Sequence, residues 1–240
     1  MATEPGRVLL VPHSPVQLVL ASRSPARLAT LRSAGVEPAV RVSHVDEDAV
    51  LAAARERYPD LPPSDAVLVL AQAKAEEVAR VLDGDHDAPG ALVLGCDSML
   101  EIDGEIVGKP GTAEVARERW RSMRGRSGVL HSGHWVVDCR SHDDGGTGAT
   151  LGATSSTTVH FADLDDAEID AYVATGEPLE VAGAFTIDGL GGPYVERLEG
   201  DPHGVVGVSL PLLRELLAEI DVPFRHLRDH RPPQDHQQQV

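Results

Sequence analysis

Cysteine is scarce in this 240-residue chain: Cys96 and Cys139 are the only two. Two cysteines make neither a disulfide framework nor the paired spacing of a structural zinc site. Aromatic residues are only 3%. The hydrophobic 42% must therefore build its core mainly from Val, Leu, Ala and Ile. No apolar run reaches the roughly eighteen residues that a membrane-spanning helix needs. No basic segment followed by an apolar run opens the chain, so no signal peptide is read and a cytoplasmic location is expected.

Positive charge is also in short supply. The net charge is −17, and a duplex-binding protein would present a basic face to phosphates. The densest basic run, Arg117, Arg119, Arg121, Arg124 and Arg126, is interleaved with apolar residues and reads as a solvated helix face before an anion site. DNA, RNA and membranes are not expected partners. An anionic substrate would have to be a small molecule in a locally positive pocket. Lysine is the scarcest charged residue: Lys74 and Lys109 stand against nineteen arginines. A lysine is a compact point charge and an arginine a planar fork, so the two do different work beside crowded oxygens.

Residues 1–16 read as a loose arm, and 17–220 as one domain. Residues 221–240, rich in Pro, His and Gln, read as a disordered tail. Within the domain, Gln17 to Ala21 is a short apolar strand. Ser24 as N-cap with Pro25 at the first helical position starts a helix. Ala39 to Ser43 reads as a strand that runs into the acidic segment Asp46-Glu47-Asp48. A helix from Ser64 to about Leu82 places Lys74 on the stripe of Leu70, Ala71 and Val78. There it is either a snorkelling lysine or a cation aimed into a cleft. Ala91 to Cys96 is a buried strand ended by Asp97. Asp103-Gly104 marks a hairpin. Thr112 to Met123 is helical, with Ala116, Trp120 and Met123 on one face. Strands follow at Gly128 to Cys139 and Thr154 to Phe161, around a loose Arg140 to Gly152 loop. A capping box at Asp165 to Glu168 opens another helix. Short strands are expected around Phe185 and from Tyr194 to Leu198, with a last helix from about Leu210 to Ile220.

Three places could carry chemistry. Ser22 and Ser24 flank a strand-to-helix turn whose free N–H groups favour an anion, with Arg27 adding a fork in the first turn. Asp97, at a strand end, could bind Mg²⁺ or accept a proton, and Asp46 and Glu47 pose the same choice. Gly108-Lys109-Pro110 would hold Lys109 on a rigid turn, with Gly108 permitting an unusual backbone. It is not a phosphate-binding P-loop, whose spacing is absent. Gly189 to Gly192 precedes no helix, so it is no dinucleotide loop. His131 and His134 show no pattern on one strand face. Cys96 has no histidine placed to activate it.

Together these segments resemble the Maf family of nucleoside triphosphate pyrophosphatases. The carriers are Leu18 to Arg27, Val45-Asp46-Glu47, Ala71 to Ala75, Gly95-Cys96-Asp97-Ser98, Asp103 to Pro110, Ala171 to Leu179, Ala182 to Phe185 and Val205 to Gly207. The resemblance implies an elongated α/β fold, a mixed β-sheet flanked by helices, Maf/ITPase-like, with a nucleotide cleft. It implies hydrolysis of NTP to NMP and diphosphate with Mg²⁺ or Mn²⁺, clearing modified or non-canonical nucleotides, by a homodimer. Asp97 would be the catalytic acceptor and Glu47 a metal-directed acid. Asp97 itself could hold the metal instead. Ser22, Ser24, Arg27, Lys74 and Lys109 would contact the substrate. Base selection would fall to Ala26, Ser98 and Asp188, which match neither the pyrimidine nor the 7-methylguanosine triphosphate subgroup of the family. A rival role attached to the same family is a non-catalytic protein that inhibits septum formation.

Overall fold

The computed structural model describes residues 16–84 and 90–228. Among them, seven strands form one mixed sheet in the order β2-β1-β3-β5-β6-β7, with β4 paired to β3. The strands are β1 (Leu18–Ala21), β2 (Ala39–Val40), β3 (Leu92–Ile102), β4 (Glu105–Val107), β5 (Ser127–Asp138), β6 (Thr150–Phe161) and β7 (Val195–Glu199). β1 runs parallel to β2 and β3, and the other pairings are antiparallel. The expected mixed α/β architecture is therefore present. The helices are α1 (Pro25–Ser33), α2 (Glu47–Arg57), α3 (Pro63–Asp83), α4 (Ala113–Met123), α5 (Asp166–Ala174), α6 (Pro202–Val206) and α7 (Leu210–Ala218).

Two glycines set how close α3 comes to the sheet. A Cβ on Gly95 would lie 2.1 Å from the Ala71 carbonyl oxygen, and one on Gly133 would lie 2.4 Å from that of Val67. Only bare backbone on β3 and β5 lets the helix seat there. Residues alternate faces along a strand, so α3 covers the face of Val19, Ala21 and Val93 with Ala75, Val78 and Ala79. The opposite face carries Leu18, Leu20, Leu92, Leu94 and Cys96, packed on Leu213, Leu216 and Leu217 of α7. Further along, α4 and α5 cover Leu100, Leu130, Val159 and Phe161 on that same opposite face.

Although aromatics are few, they are not dispersed. Trp120 meets Phe161, Tyr172 and Tyr194 edge-on at centroid distances of 5.6–5.9 Å. Its Nε1–H donates to the Ala184 carbonyl at 2.8 Å. This cluster anchors α4, α5 and the segment after Val181 to the sheet, a contribution that the composition does not suggest.

Several expectations are corrected. β3 does not stop at Asp97 but runs unbroken to Ile102, because β5 pairs with it as far as Glu101. The acidic segment after β2 opens a helix, α2, capped by Asp46, whose side chain accepts from the Ala49 N–H at 3.0 Å. No strand forms at Phe185, where one irregular turn covers Ala182–Ala184. Gly108 has an ordinary backbone, and Gly111 holds the left-handed position instead (φ 69°). The tail expected from 221 starts later. Val222 and Leu227 are buried, and Val36 pairs with Arg228. The remainder of the expected tail, and residues 1–15 of the expected arm, lie outside the described residues. The Arg140 to Gly152 segment is tied down. Asp138 accepts hydrogen bonds from the Arg140 side chain at 2.8 and 2.9 Å and from the Thr147 backbone and hydroxyl at 2.8 and 2.9 Å.

Candidate active site

Lys74 points from α3 onto the sheet and meets two acids. Its Nζ lies 2.5 Å from Asp97 Oδ1 and 2.8 Å from Glu47 Oε1. Lys74 thus ends on an acid pair and not in solvent, as a snorkelling lysine would. Lys74 and Asp97 are each nearly buried, with side-chain exposures of 12% and 11%, while Glu47 is half-exposed at 52%. Each part of the trio has a local cause. Gly95, two residues before Asp97 on the same face, lets α3 approach. Asp46 caps α2 so that Glu47 occupies its first turn. Burial raises the pKa of Asp97, while the charges of Lys74 and Arg27 oppose that rise. A carboxylate in that balance is suited to take a proton during turnover.

Asp97 also marks a gap in the sheet edge. β1 ends with Ala21 opposite Gly95, and β4 begins its pairing opposite Leu100. Between these points one edge of β3 has no strand partner, and α1 faces it. Ser24 caps α1 by accepting the Arg27 N–H at 3.3 Å, and Ser22 Oγ accepts from Ser24 N–H at 3.2 Å.

Arg27 fills this gap as a strut. It donates to the Cys96 carbonyl at 2.7 Å, Ser22 Oγ at 3.2 Å, Ser98 Oγ at 3.1 Å and the Gly207 carbonyl at 3.2 Å. Four protein bonds leave it little capacity for a phosphate. Ser98 lies on the face opposite Asp97 and shares a 2.7 Å hydrogen bond with Ser132. Cys96 is fully buried, which pushes its thiol up to about 11. It is a neutral core side chain, as its lack of a partner base suggested.

The other expected residues are less closely joined. Lys109 is exposed and makes no ion pair among the described residues. It follows β4, whose antiparallel register carries the chain back toward the level of Ser98 and Asp97. Its turn is tied to α4 by a hydrogen bond from Arg119 to the Gly108 carbonyl. Ala26 is half-buried in the first turn of α1. Asp188 is exposed on the segment after Phe185. That segment is organised by Glu177, a residue to which the sequence assigned no role. Its carboxylate accepts from Tyr172 Oη at 2.9 Å, Thr186 Oγ1 at 2.6 Å, Leu190 N at 2.9 Å and Gly191 N at 2.9 Å. Burial pushes the Glu177 pKa up, but these four donors outweigh it and hold the group low. A single acid after Gly176 carries no periodic signal, so only the fold reveals it.

Among the described residues no group of three or more His, Cys, Asp or Glu side chains forms a metal cage. Asp97 and Glu47 nevertheless converge on one cation, Lys74. Two carboxylates supply hard oxygen donors, the ligand type that Mg²⁺ or Mn²⁺ takes. Again among the described residues, no helix is long and apolar enough to cross a membrane.

A family model described as Maf-like protein matches residues 17–220. A nucleoside triphosphate pyrophosphatase of Leifsonia xyli subsp. xyli is 54% identical over 212 residues, covering 88% of this chain and 96% of that protein. One of Rhodococcus jostii is 57% identical over 214 residues, covering 87% and 94%. One of Streptomyces coelicolor is 49% identical over 218 residues, covering 91% and 97%. Among solved structures, a nucleoside-triphosphatase, dITP/XTP pyrophosphatase, from Mycobacterium abscessus aligns over 86% of this chain and 96% of that one, at 14% identity and a TM-score of 0.37.

Proposed function

This chain belongs to the Maf-like protein family, and from that premise we infer that it is a nucleoside triphosphate pyrophosphatase, a hydrolase of acid anhydrides yielding NMP and diphosphate. The observation that carries the reading is the Lys74 ammonium between Asp97 and Glu47. We assign the roles as follows. A water oxygen attacks the α-phosphorus, the bond to the α–β bridging oxygen breaks, and diphosphate leaves. Asp97 takes the water proton on Oδ2, while Oδ1 stays with Lys74. Lys74 offsets the charge that grows on the phosphoryl oxygens, where a positioned cation is worth most. Lys109 pairs with the outer phosphates from its turn. Ser22, Ser24 and the start of α1 line the phosphate side. Arg27 supports substrate binding by fixing the floor rather than by direct contact. Ala26, Ser98 and Asp188 select the base.

In this assignment Glu47 would hold a divalent cation, Mg²⁺ or Mn²⁺, that supplies charge neutralisation along the triphosphate, and Asp97 serves as acceptor rather than as ligand. The half-exposed Glu47 supports this, since it can turn from Lys74 to an incoming ion at little cost. Clearing modified or non-canonical nucleotides, working in the cytoplasm and acting as a homodimer belong to the same proposal. The strongly acidic chain supports small nucleotides over DNA or RNA as partners. A non-catalytic septum inhibitor is not favoured, because a near-buried ion pair is costly to build and binding alone does not require one.

Product analysis tests the function. Incubation of the protein and Mg²⁺ with a panel of nucleoside triphosphates should give NMP and diphosphate. NDP with single phosphate would indicate a phosphatase instead. No product from any triphosphate would remove the enzyme reading.

A further inference from the structure

The arginine run in and just after α4 is not uniform. Arg117 pairs with Asp170 at 2.7 Å, and Arg121 and Arg124 pair with Asp166 at 3.2 and 2.8 Å. Arg126 pairs with Asp103. Arg119 is the member of the run that makes no ion pair among the described residues. It is also half-buried, and burial lowers its pKa. Taking a charge out of water is costly unless a partner compensates for it. In a chain of net charge −17, acids to supply that partner are plentiful, yet none is placed here.

Helical geometry sets Arg119 apart from its neighbours. Two residues turn the helix by about 200°, so Arg119 projects from the side opposite Arg117 and Arg121. Those two face α5, which carries Asp166 and Asp170. Arg119 reaches the other way, to the turn after β4, where its Nη1 donates to the Gly108 carbonyl. The next residue is Lys109, exposed and likewise without an ion pair among the described residues. The far end of the turn is held by the Gly111 N–H, which donates to the Leu179 carbonyl at 3.0 Å. Space beside the turn is open, since a Cβ on Gly108 or Gly111 would meet nothing within 4 Å. Arg119 makes this one side-chain hydrogen bond among the described residues, so most of its five N–H donors have no protein acceptor. Arg27, with four protein bonds, is the opposite case.

We propose that Arg119 is a further substrate-binding residue, which takes the outer phosphates of the triphosphate together with Lys109 and holds the diphosphate as it leaves. This rests on the pyrophosphatase reading, which puts Lys109 at those phosphates. The outer two phosphates carry anionic oxygens on adjacent phosphorus atoms. Lys109 meets them with a point charge and Arg119 with a planar fork that can take two oxygens at once. When the bond to the α–β bridging oxygen breaks, its electron pair stays with the diphosphate. The charge so gained falls beside two cations that no carboxylate has already neutralised. By accepting from Nη1, the Gly108 carbonyl keeps the guanidinium next to Lys109.

Calorimetry with diphosphate and Mg²⁺ as the probe reads this site without turnover. Arg119→Met should weaken diphosphate binding by about 10- to 100-fold, the worth of a hydrogen bond to a charged group. Arg119→Lys should recover part of the loss. The KM for triphosphates should rise by a similar factor, while the affinity for NMP, which lacks the outer phosphates, stays at the wild-type value. A double-mutant cycle separates direct contact from support of the turn. If Arg119 only braced Lys109, removing it would cost nothing more once Lys109 is alanine. The proposal instead predicts that Lys109→Ala with Arg119→Met binds diphosphate about 10-fold more weakly than Lys109→Ala alone. Equal affinity of these two proteins, both folded by circular dichroism, would overturn it. So would an unchanged diphosphate affinity in Arg119→Met. Failure of the wild-type protein to hydrolyse any triphosphate would instead overturn the pyrophosphatase reading, and the inference with it.

Discussion

Lys74 Nζ and Asp97 Oδ1 are 2.5 Å apart, brought together from a helix and a strand 23 residues distant in the chain. The pair exists because Gly95 has no side chain. Adding one would push α3, and Lys74 with it, away from the sheet. We predict that Gly95→Ala costs about 1–3 kcal/mol, the usual range for overpacking, and lowers turnover more than stability alone explains. Gly108→Ala is the control: a Cβ there meets nothing within 4 Å, so its stability should stay within about 0.5 kcal/mol of wild type. Urea denaturation of both variants checks this.

Lys74→Ala leaves Asp97 near-buried without its nearest counter-charge. Breaking a buried pair from one side costs about 3–5 kcal/mol. Glu47 is half-exposed and Asp97 can take up a proton, so the loss here should be smaller, about 2–3 kcal/mol. Turnover should drop by about 100- to 1000-fold. Lys74→Arg should recover stability better than rate, because a planar fork cannot place a point charge between two carboxylates. Equal recovery of both would argue against a specific ammonium role.

The trio could be read only in part before folding. The segments carrying Lys74, Asp97 and Glu47 were legible as motifs, and α3 followed from its apolar stripe. Helix α2 was not legible because none of its residues is buried, so it has no stripe to betray it. Its signals were the Asp46 cap, acids in the first turn and Arg55 and Arg57 in the last, all charge patterns rather than apolar periodicity. The continuity of β3 through Asp97 was hidden because a polar residue in an apolar run resembles a strand end. The strut role of Arg27 depends on the Cys96 and Gly207 carbonyls, 69 and 180 residues away, and no local pattern encodes that.

Acid should destabilise the protein in two stages. Burial pushes His134 down to about 4, with the hydrogen bond to the Ser132 carbonyl working the other way. Nε2 accepts from the Ser209 N–H at 2.8 Å, so the folded state needs a neutral ring. The unfolded histidine protonates near 6.5. Stability is therefore full above about 6.5 and falls by about 3 kcal/mol as pH drops to 4. For Asp138, burial pushes up but the bonds from Arg140 and Thr147 prevail, leaving it at about 2. Its contribution, about 1–2 kcal/mol after solvent screening, is present above about 4 and lost as pH falls toward 2. Denaturation midpoints across this range should show the upper stage flattened in His134→Gln and the lower in Asp138→Asn.

Glu177 carries the segment on which Asp188 sits. Glu177→Gln turns one acceptor oxygen into a donor facing other donors, disordering the four bonds. The expected result is a KM raised about 10-fold or more, from a lost hydrogen bond to a charged group, with kcat changed less. Base selectivity across the nucleotide panel should narrow toward indifference. Steady-state kinetics separate this from a general loss of fold, which would lower the active fraction without changing KM.

The most direct measurement is the turnover of Asp97→Asn beside its melting temperature. Burial raises the Asp97 pKa, so the ionised group weakens the fold as pH rises above the unfolded value. A neutral amide removes that penalty but leaves Lys74 with Glu47 as its remaining counter-charge, so the melting temperature should fall by less than in Lys74→Ala. With the proton acceptor gone, kcat should fall by about 100-fold or more. A well-folded Asp97→Asn protein that releases diphosphate at close to the wild-type rate would contradict the account.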